Sequence, residues 1–386
     1  MKQRLIYLLK HNMMLQRIYK ICMSLVFRFL GLFIPTDPKL VLFSSFMGSK
    51  FNDSPKEIYD HMQCHSGFFG YRCVWAFEKP EDYPRLITVK IDTLRYFITA
   101  LKAKYWVTNT NIERGLSFKK NSTVYLNTWH GIALKKIGND CPGRKDYDFK
   151  SVDYLCVSGS HDEQVFRTAF NANADSYLRC GMPRNDALWS ATPEQKTACR
   201  NNLGIPSGKK VILYAPTWRD SVDGGRSYAI KPPIDFTRWK TLLSEEYVVL
   251  FRAHHITTKV LDVQFDDFVV DMSAYPDVNE LMIAADLLIT DYSAIAFDYS
   301  ILCRPILCYA YDYETYLAER GTYFEIDGRY PEKSCRTEEE LLQRIRTLEY
   351  AQASERTRAF RDAFMMYGGN AAEKCVEALF ANETER

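Results

Sequence analysis

Twelve short apolar runs, each closed by polar or turn-forming residues and spaced by stretches of helical periodicity, dominate the chain from residue 37 onward. In the first half they are KLVLFSS, YRCVWAF, RLITVK, YWVTNT, TVYLNTW, YLCVSG and SYLRCGM; in the second they are VILYAPTW, YVVLFRAH, DFVVDM, DLLITDY and PILCYAY. Strand and helix in alternation is the pattern of a doubly wound α/β sheet. Between YLCVSG and SYLRCGM, Ser160 and Glu163 have the spacing of a capping box, which predicts a helix from there to about Phe170. The rhythm breaks once, at SATPEQKTACRNNLGIPSGKK, where Pro193, Gly204, Pro206 and Gly208 interrupt any regular element. The expected architecture is α/β, with two Rossmann-like domains, residues 37–200 and 201–386, facing each other across a cleft.

Residues 1–36 read differently. They carry Lys2, Arg4, Lys10, Arg17, Lys20 and Arg28 and no acid, and taking these six charges from the formal net charge of +2 leaves the remainder at −4. On a helical wheel Lys10, Arg17 and Arg28 fall nearly on one line, and Leu8, Leu15, Ile18, Cys22, Leu25, Val26 and Phe29 cluster opposite. The most apolar run, ICMSLVFRFLGLFI, is interrupted by Arg28 and is shorter than the ~20 residues a bilayer crossing needs. No small-residue cleavage site follows it, which argues against a signal peptide. The segment is expected to be a basic amphipathic helix lying on an anionic membrane surface, with each Lys or Arg contributing about 1 kcal/mol. The alternative is a helix packed on the first domain with a solvated basic face. Past residue 36 bases are balanced by acids and no nucleic-acid motif occurs, so no nucleic-acid partner is expected.

The eleven cysteines are scattered and contain no C-x-x-C pair, which fits a reducing compartment and neither a disulfide framework nor a four-ligand zinc site. His61 and His65 in HMQCH have ligand-like spacing on a helix but no third ligand, and Asp266–Asp267 reads as an exposed loop, so no metal site is assigned. Neither a G-x-G-x-x-G after the first strand of either half nor a P-loop is present, which removes the main support for dinucleotide or P-loop chemistry.

Three polar sets remain at strand C-terminal ends, where open α/β sheets bind ligands. The first is Trp129-His130-Gly131, followed by Lys135 and Lys136. An imidazole can take a proton from a hydroxyl at neutral pH, and glycine admits close approach, yet a lone strand-end histidine reads equally as a structural residue. The second set is Arg219 and Arg252 with His254 and His255; guanidinium forks suit diphosphate, and surface ion pairing is the plainer reading. The third is TDYSAIAFDYS, where Thr290, Asp291 and Ser293 stand at a strand-to-helix turn suited to an anion or to simple capping.

Taken in order, these sets resemble the CDP-glycerol glycerophosphotransferase family of teichoic acid synthesis over roughly residues 40–330. FNDSPKEIYDHM, YWVTNTNIERGLSFKKNSTVYLNTWHGIALKKIG, CGMPRNDAL, YAPTWRD, FRAH, TDYSAIAFDY and ERGTYF carry the similarity. The resemblance implies a glycosyltransferase-B-like fold and attack of an acceptor hydroxyl on CDP-glycerol or CDP-ribitol, with release of CMP. It also implies an undecaprenyl-diphosphate-linked saccharide acceptor, wall or capsule polymer as product, a peripheral position on the cytoplasmic face of the membrane, and no cofactor. By resemblance His130 is the general base, and His254, Thr290 and Ser293 contact the donor phosphates. Together with the strand-end chemistry this makes His130 and His254 the catalytic candidates, Arg219, Arg252, Thr290, Asp291 and Ser293 the donor-binding ones, and Trp129, Gly131 and Lys135 the acceptor-side ones. His255 replaces a common proline, Ala133 replaces another, and EIDGRYPEKSC stands where an acidic Pro-Gly loop is usual. Without the extra N-terminal domain of larger polymerases, addition of one or few units is favoured. Two other functions fit the fold: a nucleotide-sugar glycosyltransferase and a non-catalytic membrane-associated assembly subunit.

Overall fold

The computed structural model describes residues 12–217, 229–230, 233–253, 259–260 and 263–381. The first seven apolar runs become β1 (Asp37–Ser44), β2 (Arg72–Phe77), β3 (Thr88–Lys90), β4 (Ala103–Thr108), β5 (Val124–Asn127), β6 (Tyr154–Val157) and β7 (Tyr177–Arg179). They form one parallel sheet in the order β3-β2-β1-β4-β5-β6-β7. The next elements are β8 (Lys210–Ala215), β9 (Ala229–Ile230), β10 (Tyr247–Phe251), β11 (Lys259–Val260), β12 (Val269–Asp271), β13 (Leu287–Thr290) and β14 (Ile306–Cys308). Five of them make a second parallel sheet, β12-β10-β8-β13-β14, and β9 pairs with β11 in a short ribbon that no apolar run announced. Each sheet reverses its strand order beside its first strand, so the crevices at the C-terminal ends of β1 and β4, and of β8 and β13, are the natural ligand positions.

Both faces of each sheet are covered. Leu40 and Leu42 of β1 join one core cluster while Val41 and Phe43 join the other, the period-two alternation of a strand sandwiched between helices. The predicted capping box does not form: the helix runs from Ser160 to Ala169 with Gly159 as its cap, and Glu163 pairs with Arg179 at 2.8 Å instead. Glycine is demanded at 159 because a Cβ there would come within 2.7 Å of the Phe364 carbonyl oxygen.

The last helix, Ala371–Phe380, leaves the second unit and packs on the first sheet through Cys375, Val376 and Leu379. Asp186 holds its start, its two carboxylate oxygens each taking a backbone N–H, from Ala371 and Ala372, at 2.9 Å. Cys156, Cys180 and Cys375 meet in that core, their sulfurs all within 4.8 Å of one another. All eleven cysteines are unpaired.

The helix Met13–Phe33 begins at Asn12, whose Oδ1 accepts the N–H groups of Met14 and Leu15 at 3.1 Å. Met23, Phe27 and Leu30, with Ile34 just beyond, face the first core at helical spacing, and Phe27 stacks on Phe97 with ring centroids 4.4 Å apart. Burying Phe27 stabilises the attachment by about 2 kcal/mol, and Arg28 adds hydrogen bonds to the Ser117 carbonyl and hydroxyl at 2.8 and 2.6 Å. A second apolar stripe, Leu15, Ile18, Leu25, Phe29 and Leu32, stays exposed, Leu32 to 79%. No helix among the described residues is long and apolar enough to cross a membrane.

Candidate active site

Three loops leave the first sheet together, and Asn127 staples two of them. Its Oδ1 accepts the Trp129 N–H at 2.8 Å and its Nδ2 donates to the Thr110 carbonyl at 2.7 Å. Trp129, at φ 52°, turns the chain and buries its indole against Phe170 with centroids 4.4 Å apart. His130 follows, half-buried, its ring against those of Trp129 and Phe46. Its Nδ1 lies 2.8 Å from the carbonyl oxygen of Asn109. A carbonyl only accepts, so Nδ1 carries the proton and the neutral ring keeps its basic lone pair on Nε2. Burial lowers the His130 pKa below its ordinary value, opposed by the Asn109 bond and by Asp53.

Asn109 organises the rest of this end of the sheet. Its Oδ1 accepts the Phe46 N–H at 2.8 Å and its Nδ2 reaches Asp53 at 3.1 Å. Asp53 and Asp298 are joined by Arg184, whose two terminal nitrogens reach them at 3.0 and 2.8 Å, all three side chains being largely shielded from solvent. The Arg184 guanidinium also donates to the His130 carbonyl at 2.8 Å, and Asn185 donates to the second Asp298 oxygen at 2.7 Å. Burial pushes the Asp53 carboxyl up, but Arg184 and the N–H of Ser54 more than offset it and hold Asp53 below its usual value. Asp298 belongs to the helix Ile295–Ser300 of the second unit, so this ion triad ties the two halves together directly behind His130.

Gly131 completes the junction. It sits at φ 150°, and a Cβ there would lie 3.1 Å from the Cβ of Ala294, so glycine is required both by conformation and by the approach of the second unit. Lys135 pairs in antiparallel fashion with Thr322, bracketed by backbone bonds from Tyr323 to Leu134 and from Lys136 to Gly321. The predicted Trp-His-Gly and Thr-Asp-Tyr-Ser-Ala sets are therefore brought together.

Within the second unit the predicted residues divide. Thr290 is fully buried and its hydroxyl donates to the Ala215 carbonyl at 2.7 Å, bracing β13 against β8. Asp291 is buried as well, one oxygen accepting the N–H groups of Thr217 and Tyr292 at 2.9 and 2.7 Å. Ser293 is half-buried and its hydroxyl accepts from the Ile295 N–H at 3.3 Å. Arg252 donates to the carbonyls of Met272 and Tyr275 at 2.9 and 2.8 Å. Across the cleft stands Lys50 from the loop after β1, its pKa lowered by burial and then by the positive charge of Arg252. Neither cation has an ion pair among the described residues. Arg219, His254 and His255 lie outside the described residues.

Sequence reasoning did not single out Arg184, Asp53, Asn109, Asp298 or Lys50 as site residues. Arg184, Asp53, Asn109 and Asp298 lie inside CGMPRNDAL, FNDSPKEIYDHM, YWVTNTNIERGLSFKKNSTVYLNTWHGIALKKIG and TDYSAIAFDY, so motif membership was a usable signal for all four. Lys50 had only its place in the loop after the first strand.

The sequence matches the family model of CDP-glycerol:poly(glycerophosphate) glycerophosphotransferases over residues 26–381. It is 32% identical to the teichoic acid poly(glycerol phosphate) polymerase of Bacillus spizizenii across 96% of this chain and 98% of that one. It is also 32% identical to the teichoic acid glycerol-phosphate transferase of Staphylococcus aureus, across 88% of this chain and 92% of that protein. Relatives of matching length thus carry both names, so length does not favour addition of one or few units. Of the longer polymerases of Staphylococcus epidermidis and Bacillus subtilis, the chain spans about half, 50% and 54%. The structure of the wall teichoic acid polymerase TagF superposes with a TM-score of 0.82 at 31% identity, over 96% of this chain and 97% of that one. A putative UDP-N-acetylglucosamine 2-epimerase from Listeria monocytogenes, at 13% identity and a TM-score of 0.53 over 91% of this chain and 98% of its own, shares the fold alone. With the match running from residue 26 to residue 381 and relatives of the same length above 30% identity, the chain belongs to the CDP-glycerol:poly(glycerophosphate) glycerophosphotransferase family.

Proposed function

We propose that the protein transfers glycerol phosphate from CDP-glycerol to a hydroxyl of a lipid-linked saccharide or growing polymer in teichoic acid synthesis, releasing CMP. The observation that carries this reading is the setting of His130, whose Nδ1 is committed to the Asn109 carbonyl, whose Nε2 has no partner among the described residues and whose pKa burial lowers. The acceptor oxygen attacks the glycerol-bearing phosphorus and Nε2 takes its proton. The bond from that phosphorus to the bridging oxygen breaks, and CMP leaves with the electron pair. Arg252 and Lys50, two cations lowered by burial on opposite sides of the cleft, are suited to the donor diphosphate. The family resemblance and the strand-end chemistry add His254, Arg219, Thr290 and Ser293 to that role, with Thr290 and Asp291 also bracing the backbone at Ala215, Thr217 and Tyr292.

Glycerol is favoured over ribitol because the glycerol-phosphate relatives are 31–34% identical and the ribitol-phosphate ones 26–29%. A peripheral position on the cytoplasmic face of a membrane is supported by the exposed apolar stripe of the helix Met13–Phe33, by the lack of any acid in residues 1–36, and by eleven unpaired cysteines.

The test is direct. The purified protein, given a lipid-linked acceptor and in turn CDP-glycerol, CDP-ribitol and UDP-sugars, should release CMP from CDP-glycerol fastest. Release of UDP instead would install the glycosyltransferase reading, and full activity of His130→Ala in cells would install the non-catalytic one.

A further inference from the structure

Trp129 and His130 open onto a groove of about 970 Å³ whose far wall is the N-terminal helix. The two ends of this groove differ in chemistry. At the helix end stand Ile21 and Leu25, both more than half exposed, with Leu116 opposite them and with Lys20 and Arg28 beside them. Neither cation has an acid partner among the described residues. Arg28 gives its Nε and Nη2 to Ser117 and has no partner for Nη1 among the described residues, and the Lys20 ammonium lies against Gly115, where an added Cβ would be 3.7 Å from Nζ. The eight residue steps from Lys20 to Arg28 span about 12 Å along the helix.

At the histidine end acids appear. Asp146 and Asp148 are exposed on the loop that also brings Tyr147, Phe149 and the exposed Lys150, whose N–H donates to Asp148 Oδ1 at 3.1 Å, and the Trp129 indole closes the floor. Glu113, though it lines the groove, is committed inward: its carboxylate accepts the N–H groups of Phe118 and Lys119 and the hydroxyl of Ser151. Arg114 is likewise committed, to Asp92, by two bonds of 2.8 Å. The open groups therefore run from apolar and cationic at the helix to aromatic and mixed in charge at His130, where the two carboxylates of Asp146 and Asp148 stand with Lys150.

We infer that this groove seats the acceptor, an amphiphile whose lipid and diphosphate lie against the N-terminal helix and whose hydroxyl-bearing saccharide or polyol reaches His130. The inference rests on the function proposed above and adds the place and direction of the second substrate. Diphosphate matches Lys20 and Arg28, whereas sugar hydroxyls are donors that the carboxylates of Asp146 and Asp148 can accept. The lipid continues onto the exposed stripe of Leu15, Ile18, Phe29 and Leu32, so the groove and the membrane-facing surface form one continuous path. The same helix that holds the protein at a membrane would then deliver the substrate from it.

The test uses the full chain and a short-alkyl diphosphate disaccharide as acceptor, dispersed in detergent so that vesicle binding plays no part. Ile21→Glu with Leu25→Glu, and separately Lys20→Glu, alter exposed positions and leave the core intact. Each should raise the acceptor KM about tenfold or more, with the CDP-glycerol KM unchanged and kcat within about threefold. Calorimetry of the acceptor alone, without donor, should lose its binding signal in the same variants. An unchanged acceptor KM and unchanged calorimetric binding would overturn the groove while leaving the reaction standing. A defect confined to vesicle-embedded acceptor would also overturn it, reducing the helix to an anchor. Groove-dependent binding without CMP release from CDP-glycerol would retain the groove and sink the reaction.

Discussion

The two sheets share one strand order beside their reversal points, and both end in polar residues, yet those residues are used in opposite ways. At the end of β5, His130 spends one ring nitrogen on the neighbouring loop, and the other has no partner among the described residues. At the end of β13, Thr290 and Asp291 give their polar atoms to the backbone of Ala215, Thr217 and Tyr292. The lesson is that a polar residue at a strand end is a site candidate only after its hydrogen bonds are counted. The first unit presents a reactive group, and the second builds the frame that meets it through Gly131, Ala294 and the Arg184 triad.

The contrast is tested hardest at His130. His130→Ala should lower turnover about 10²–10⁴-fold, read by CMP release, with donor affinity retained. In the intact enzyme the rate should fall on the acid side of a pKa below the ordinary histidine value, since protonating a buried imidazole removes the base. A rate that survives the substitution would make His130 a frame residue like Thr290.

Arg184→Ala should come next. It strands two buried carboxylates, Asp53 and Asp298, at a cost of about 3–5 kcal/mol in chemical denaturation, and it should uncouple the unfolding of the two units. Arg184→Lys should recover part of the stability, because one ammonium cannot reach both acids with the same fork.

A smaller effect is expected at Asp162, where burial pushes the carboxyl up to about 7 and the charge of Asp298 in the other unit adds to the rise. Its folded-state pKa is raised, so its contribution is full below the unfolded value near 4 and is lost as pH climbs through about 7. Thermal stability should therefore decline between pH 5 and pH 8, by roughly 2–4 kcal/mol from this group. Asp162→Asn, which can still accept from the Ser158 N–H, should flatten that decline.

Thr290→Val should have the smallest consequence. Loss of the hydroxyl leaves the Ala215 carbonyl without that donor, at about 1–2 kcal/mol of stability, with turnover falling less than tenfold. A loss matching that of His130→Ala would move Thr290 from the frame to the donor site.

Much of the fold was readable from local pattern. Each of the twelve apolar runs became a strand, the central ones because they are buried on both faces, whereas the edge strands β3, β7 and β12 kept three residues each and are only partly buried. Ser160 misled because a capping box is a local rule, and the close approach of Phe364, a residue two hundred positions away, placed glycine at the cap instead. The wheel of the first helix found its exposed stripe but not the packing face of Met23, Phe27 and Leu30. Nothing local tells an apolar stripe that meets a domain from one that meets solvent. The site was half legible: His130 and Gly131 announced themselves, whereas Arg184 acquires its meaning from partners at 53 and 298, at separations no motif spans.

The order of residues alone set the two α/β sheets, the strand ends where polar side chains gather, and the acid-free first helix, because periodicity and charge act over a few residues at a time. The fold in three dimensions settled which of those polar groups remain available, that the final helix returns to the first sheet, and that a groove joins the first helix to His130. Burial and hydrogen-bond satisfaction are properties of neighbours in space, and most of the decisive neighbours here lie far apart along the chain.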